Sequence, residues 1–230
     1  MSTPIRMISS MATKSLLADL ATLFESQAPQ YRVHIESVGG VDAAKRVQAG
    51  EAFDGVVLAG NVISNLLNEG KLLPGSRMDL VHSGVAAAVP AGEHVPDISS
   101  EEALKQAILN ASSIGYSTGP SGVELLKLFE RWGISAQIAH KLVQAKPGVP
   151  VGTLLAHREV MLGFQQLSEM MGVQGITVLG PLPDAVQITT TFSGGISVTS
   201  TQPHAVKELL TFWTSNVTAQ SKVRNGMVPA

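Results

Sequence analysis

Three places in the sequence put small hydroxylic and glycine residues where an apolar run stops and a helical pattern begins: "SSMAT" at residues 9–13, "SVGG" at 37–40 and "STGPSG" at 117–122. At such a junction the first N–H groups of the helix lack partners within it, and the helix dipole adds partial positive charge. A small anion is favoured there. Ser10, Thr13, Ser117 and Ser121 add hydroxyl donors without adding charge. Gly39, Gly40 and Gly122 let a backbone approach a ligand closely, and Met11 lies between Ser10 and Thr13. The other reading of each junction is local: Ser and Thr cap the helix, and Gly serves the turn. Three such junctions in one chain point to a shared site for a small anionic molecule.

A fourth feature is the amide pair Gln165-Gln166 after the apolar "LGF". Neighbours on a strand face opposite sides, so one amide faces a ligand while the other faces elsewhere, unless both are edge residues. Ser83, followed by Gly84 inside the long apolar run "MDLVHSGVAAAVPAG", is either a tight packing position or a polar group aimed at a ligand. His82, Asp54 and Glu169 are titratable, but none has a catalytic partner at a readable spacing, so no base is assigned. The six histidines are scattered without metal-ligand spacing, and there is no cysteine. No bound metal, thiolate chemistry or disulfide is expected. Gly-x-Gly-x-x-Gly and Gly-x-x-x-x-Gly-Lys-[Ser/Thr] are both missing, so neither a dinucleotide nor a nucleoside triphosphate is expected, and no cofactor.

The elements that must carry these residues alternate. "IRMIS" is a strand, and Leu16, Leu17, Leu20, Leu23 and Phe24 then recur at helical spacing, with Thr13 and Ser15 as cap candidates. "YRVHIESV" is a strand, and "VDAAKRVQAG" is a helix with Asp42 near its start and Gly50 past its end. "FDGVVLAG" is a buried strand with Asp54 at its mouth, and another short helix ends at Gly70. "SSEEALKQAILNA" reads as a capped helix and "SSIGYS" as a strand. Residues 122–132 read as the helix after the third junction, and "GTLLAHREVM" as a further helix. "LGFQQ", "GITVLG" and "VQITTTFSGGISVTS" are β stretches, and "QPHAVKELLTFWTS" closes the chain as a helix. The pattern predicts an α/β fold with parallel strands.

At 230 residues, 44% hydrophobic and 15% charged, the chain is long enough for one large domain or two small ones. Sixteen basic against eighteen acidic side chains leave no excess to neutralise a phosphate backbone, so nucleic acid is not an expected partner. No run approaches the roughly 18 apolar residues of a membrane span, and none is expected to insert. The segment "MSTPIRMISSMATKSLL" lacks the features of a secretory signal. As written, a cytoplasmic location is expected; a leader removed from the natural chain would make it periplasmic, and only then would a transporter be a partner.

Taken together, "SMATKSLLADLATLFE", "VGGVDAAKRVQAGEAFDGVVLAG" and "GPSGVELLKLFERWGI" resemble the molybdate-binding-protein-like family of the type II periplasmic solute-binding superfamily. The resemblance covers most of the chain. It implies a two-lobed α/β fold whose chain crosses twice, with residues 1–82 plus 188–230 in one lobe, 83–187 in the other, and the ligand in the cleft between. It also implies ligand contacts from Ser10, Met11, Thr13, Gly39, Gly40, Ser83, Ser117, Ser121, Gly122, Gln165 and Gln166. The sequence departs from the molybdate pattern in three places. Ala12 replaces a hydroxyl, Gly39-Gly40-Val41 replaces a serine-rich loop, and Gln165-Gln166 replaces a tyrosine-bearing segment. Fewer hydroxyls and more amide suit a larger, partly polar di- or tricarboxylate. "SSIGYSTGPSG", "VHSGVAAAVPAG" and "GFQQLSE" look closer to a branch that includes aconitate isomerase, an enzyme that moves a double bond in a tricarboxylic acid. A non-catalytic receptor delivering an oxyanion to a transporter is the other function the resemblance implies.

Overall fold

The computed structural model describes residues 4–230. In chain order the elements are β1 (Ile5–Ser10), a 3-10 turn (Met11–Thr13), α1 (Lys14–Gln27), β2 (Val33–Val38), α2 (Gly40–Gln48), β3 (Gly55–Ala59) and α3 (Gly60–Asn68). There follow β4 (Met78–Pro90), α4 (Glu101–Asn110), β5 (Ile114–Tyr116), α5 (Pro120–Arg131), α6 (Ser135–Ile138), β6 (Leu142–Gln144) and α7 (Val151–Ala156). The last are β7 (Leu162–Gln166), α8 (Leu167–Met170), β8 (Ile176–Pro181), β9 (Thr189–Ile196), α9 (Pro203–Thr214), α10 (Ala219–Arg224) and β10 (Met227–Pro229).

Local sequence explains most of these. In α1 the helical spacing buries Leu16, Leu17, Leu20, Ala21 and Phe24 on one face. The Ser100 hydroxyl accepts from the Ala103 N–H at the start of α4, with Glu101 and Glu102 in the first turn to complement the dipole. Gly50 (φ 83°) and Gly70 (φ 66°) end α2 and α3 in the left-handed region that glycine adopts without strain.

Other expectations need correction. The sheet is mixed rather than parallel: β9 runs antiparallel to β3, and β4 antiparallel to β7 and β8. The helix read from "GTLLAHREVM" stops at Ala156, because Arg158 takes φ 59° and Val160 is drawn into the core. The helix after the third junction starts at Pro120, whose fixed φ suits a first helical position, so Gly122 lies inside it. Four short elements had no readable periodicity: α6, β6, α10 and β10.

The chain forms two compact units, Met1–His82 with Thr191–Ala230, and Ser83–Thr190. In the first, β2, β1 and β3 are parallel, followed by β9 and then β4, with β10 also on β4. Helices cover both faces of this sheet. Leu16, Leu20 and Phe24 of α1 pack with Leu209, Leu210 and Trp213 of α9, while Val47 of α2 packs with Ile63 and Leu66 of α3. Full burial stabilises by about 1.5–3 kcal/mol for each such side chain.

Asp54 ties this unit together at the amino end of β3. Its carboxylate accepts from the Arg6 N–H (2.9 Å), the Ser200 hydroxyl (2.8 Å) and the Gln202 amide (3.1 Å). That is the end opposite the polar junctions, so Asp54 is a clamp there.

In the second unit β5 and β7 are parallel, β6 is parallel to β5, and β7 and β8 flank β4 antiparallel. One core joins Leu104 and Ile108 of α4 to Leu125 and Phe129 of α5 and Ile138 of α6. The other joins Val151 and Leu155 of α7 to Val160 and Met170.

Candidate ligand-binding edges

In the first unit the carboxyl ends of β1, β2 and β3 share one edge of the sheet, since Ser9 pairs with both Ser37 and Val57. The strand ends deliver Ser10, Gly39 and Gly60 to this edge, each beginning a helical segment. A Cβ on Gly40 would lie 3.7 Å from the Ser10 Cβ, which puts the first and second junctions side by side. The Ser9 hydroxyl is spent on Ser37 (2.8 Å), and the Thr13 hydroxyl donates to the Ser10 carbonyl (3.2 Å). The Ser10 Oγ is buried and has no partner. Met11 is half-buried in the 3-10 turn.

The same edge carries groups that sequence reasoning missed. A Cβ on Gly60 would meet the Arg77 guanidinium at 2.9 Å and the Ser193 hydroxyl at 3.0 Å. Arg77 is held by Asp79 (2.9 Å) and Ser64 (2.7 Å), and Ser193 donates to Asp79 (2.6 Å). The Arg77 and Ser193 bonds hold the Asp79 carboxyl below its usual range, against the opposing effect of burial. His82 Nδ1 bonds the Thr191 hydroxyl (2.9 Å). No local pattern marks these residues, because they come together only when β9 returns beside β4.

In the second unit Tyr116 pairs with Phe164, so the third junction, which starts at Ser117, lies level with the two glutamines. Ser117 and Ser121 hydroxyls are 3.2 Å apart. The Gly122 N–H, expected to face an anion, donates to the Gly119 carbonyl (3.0 Å). Glycine is required at 122 for another reason, since a Cβ would lie 1.9 Å from the Ser117 carbonyl oxygen.

The glutamines divide as strand alternation requires. The Gln165 carbonyl accepts from the Val151 N–H (2.7 Å), so this side chain fills the start of α7. Its amide donates to Glu169 (2.9 Å). Gln166 turns to the other face and donates to Thr190 (2.8 Å), leaving its Oε1 buried and without a partner. The Thr190 hydroxyl can donate as well as accept, so the amide can turn over and present either its oxygen or its NH2.

Ser83 lies two residues beyond Val85, the partner of Gln166, and thus past the carboxyl end of β7. Its Oγ is also buried and without a partner, while Gln187 packs over Gly84. Ser10, Ser83 and Gln166 thus account for three of the four buried side-chain atoms without a hydrogen bond among the described residues; the fourth is Trp213 Nε1, in the first unit's core.

Glu169 sits in α8, immediately after β7 and on the same edge. Burial pushes its carboxyl up to about 7, and the Gln165 amide only partly opposes this. The elements packed against α8 (α7, β7 and β8) carry no ionisable side chain to offset its charge. Among the described residues no group of His, Cys, Asp and Glu is arranged to hold a metal ion. No helix among them is long and apolar enough to cross a membrane.

Two α/β units, traversed in the order first, second, first, with polar strand ends at one sheet edge of each, define the type II periplasmic binding-protein class. The chain belongs to the bacterial extracellular solute-binding protein family, which it matches over residues 5–228. It is 37% identical over 185 residues to an aconitate isomerase of Pseudomonas sp., covering 80% of this chain and 70% of the relative. The periplasmic molybdate-binding protein of Azotobacter vinelandii has a similar fold (TM-score 0.80, 17% identity, 97% of this chain and 98% of that one). So has the sulfate-binding protein SubI of Mycobacterium tuberculosis H37Rv (TM-score 0.81, 14% identity, 100% and 88%). At these identities the two structures speak for the fold alone.

Proposed function

We propose that the chain binds a small di- or tricarboxylate and shifts a double bond within it. The observation that carries the binding is the set of buried, unpartnered polar atoms on Ser10, Ser83 and Gln166. A buried polar group without a hydrogen bond costs about 1–3 kcal/mol, and a ligand that supplies the missing partners removes that cost. Hydroxyls donate to a carboxylate oxygen, and the reversible Gln166 amide serves either a carboxylate or a ligand hydroxyl. Arg77, beside the start of α3 and paired with Asp79, offers guanidinium N–H donors at the first unit's edge.

Two features favour a carboxylic acid over a compact inorganic oxyanion. The Gln165 side chain already occupies the start of α7, which removes a backbone donor from the second unit's edge. The relative at 37% identity is an aconitate isomerase, whereas the molybdate binder is far more distant in sequence. The family's description favours a second reading, a receptor that binds its solute and leaves it unchanged.

Thermal unfolding in the presence of molybdate, tungstate, sulfate, citrate and cis- and trans-aconitate tests the binding. A ligand at a hundred times its Kd adds about 2.7 kcal/mol to stability and raises the melting temperature. Stabilisation by an aconitate isomer, followed by its conversion to the other isomer in NMR spectra, is expected. Stabilisation by molybdate alone would overturn the carboxylate reading. An aconitate that binds but stays unchanged would leave the receptor.

A further inference from the structure

Within the carboxylate-isomerising function proposed above, we propose that Glu169 is the catalytic base that carries the proton between the two ends of the shifting double bond, positioned by Gln165. Moving a double bond along a three-carbon unit requires one proton to leave a methylene carbon and one to arrive two carbons away. The Glu169 carboxylate takes the first proton. The C–H bond breaks, and its electron pair spreads through the double bond and into the carboxylates attached to the three-carbon unit. A C–H bond then forms at the far carbon, with the proton returned by the Glu169 carboxylic acid. Nothing is oxidised or reduced, no group leaves, and the enzyme ends in its starting state.

The geometry meets the needs of this step. Glu169 stands one helical turn beyond Gln166, on the sheet edge that also carries Ser83, Ser117 and Ser121. Its Oε1 is held by the Gln165 amide, and Gln165 is anchored in turn by the Val151 N–H. This chain fixes the carboxylate and assigns proton transfer to the second oxygen. A base that must also act as an acid works best when its two forms are balanced near neutral pH, and burial away from any cation brings Glu169 there. The Ser83, Ser117 and Ser121 hydroxyls on the same sheet edge, and the Gln166 amide on the other face of β7, are the donors available for the charge that develops on the substrate. His82, the other titratable group considered, has its Nδ1 engaged with Thr191.

The test compares wild type with E169Q and Q165L, using thermal shift for trans-aconitate binding and NMR in D2O for isomerisation and deuterium uptake. E169Q is expected to keep the trans-aconitate shift while its turnover falls by roughly 10²–10⁴-fold, the usual contribution of a general base. In wild type kcat/KM should rise tenfold per pH unit below about 7 and level off above it. Q165L should move that limb of the profile, because the amide that holds Oε1 is gone. Turnover of E169Q within a few fold of wild type would overturn the assignment of the base while leaving the function standing. So would a flat wild-type profile from pH 5 to 9. A wild-type protein that neither binds nor isomerises aconitate would overturn the function itself, and the base with it.

Discussion

The Ser10 and Ser121 hydroxyls stand out among the expected ligand groups because neither is committed to the backbone. Ser10 has no partner, and Ser121 has only Ser117. Ser10→Ala and Ser121→Ala should each weaken anion binding ten- to a hundredfold, since a hydrogen bond to a charged group contributes about 1.5–3 kcal/mol. Titration calorimetry against the ligand found by thermal shift checks this, and unchanged affinity would make them packing residues. Thr13 differs from both. Its hydroxyl closes the turn onto Ser10, so Thr13→Ala should lower stability first and affinity through the turn. Glu169 makes a prediction that needs no ligand. Its carboxyl is raised in the folded chain, so the folded state holds the proton more tightly than the unfolded one. The stabilisation this provides is complete below the ordinary carboxylate range and is lost as pH rises through about 7. E169Q mimics the protonated form, so it should gain little at pH 5 and about 1–3 kcal/mol at pH 8.5 relative to wild type. Urea unfolding at the two pH values measures the difference.

The junction between β5 and α5 shows how an element imposes residue types on a site. α5 can begin at Pro120 only if its third residue passes against the Ser117 carbonyl, where a Cβ would sit at 1.9 Å. Gly122→Ala must therefore push the loop from the helix, and a loss of about 1–3 kcal/mol is expected together with weaker anion binding. A melting temperature equal to wild type would refute the tight approach. β7 carries a similar constraint. Gly163 lets Val151 and Leu155 of α7 pack directly on the strand, which brings the Val151 N–H within reach of Gln165. The junctions were legible because hydroxyls and glycines cluster where the period changes from two to 3.6. The opposite roles of Gln165 and Gln166 were legible only as alternation. Which amide was used internally depended on α7, whose residues precede β7 and pack on one face of it.

At the scale of the whole molecule, the first unit is built from two distant segments. Its core joins Leu16, Leu20 and Phe24 to Leu209, Leu210 and Trp213, and Asp54 binds Ser200 and Gln202 across the same sequence gap. A chain ending at residue 190 should therefore lose the fold of this unit, while residues 83–190, which carry their own two cores, keep theirs. Hydrogen exchange on the shortened chain distinguishes the two outcomes, and protected amides in residues 4–82 would contradict the first.

The sequence by itself determined the α/β class, most of the helices, the three polar junctions and the glutamine pair, because those signals lie within a few residues of one another. Only the tertiary structure decided that the sheet is mixed, that Asp54 is a clamp, and that Arg77, Ser193 and Gly60 meet. It also decided which polar atoms remain without partners. The mixed sheet and the meeting of Arg77, Ser193 and Gly60 rest on β9 joining β3 and β4 across more than a hundred residues, as the Asp54 clamp rests on Ser200 and Gln202, and nothing local in a chain records such a pairing.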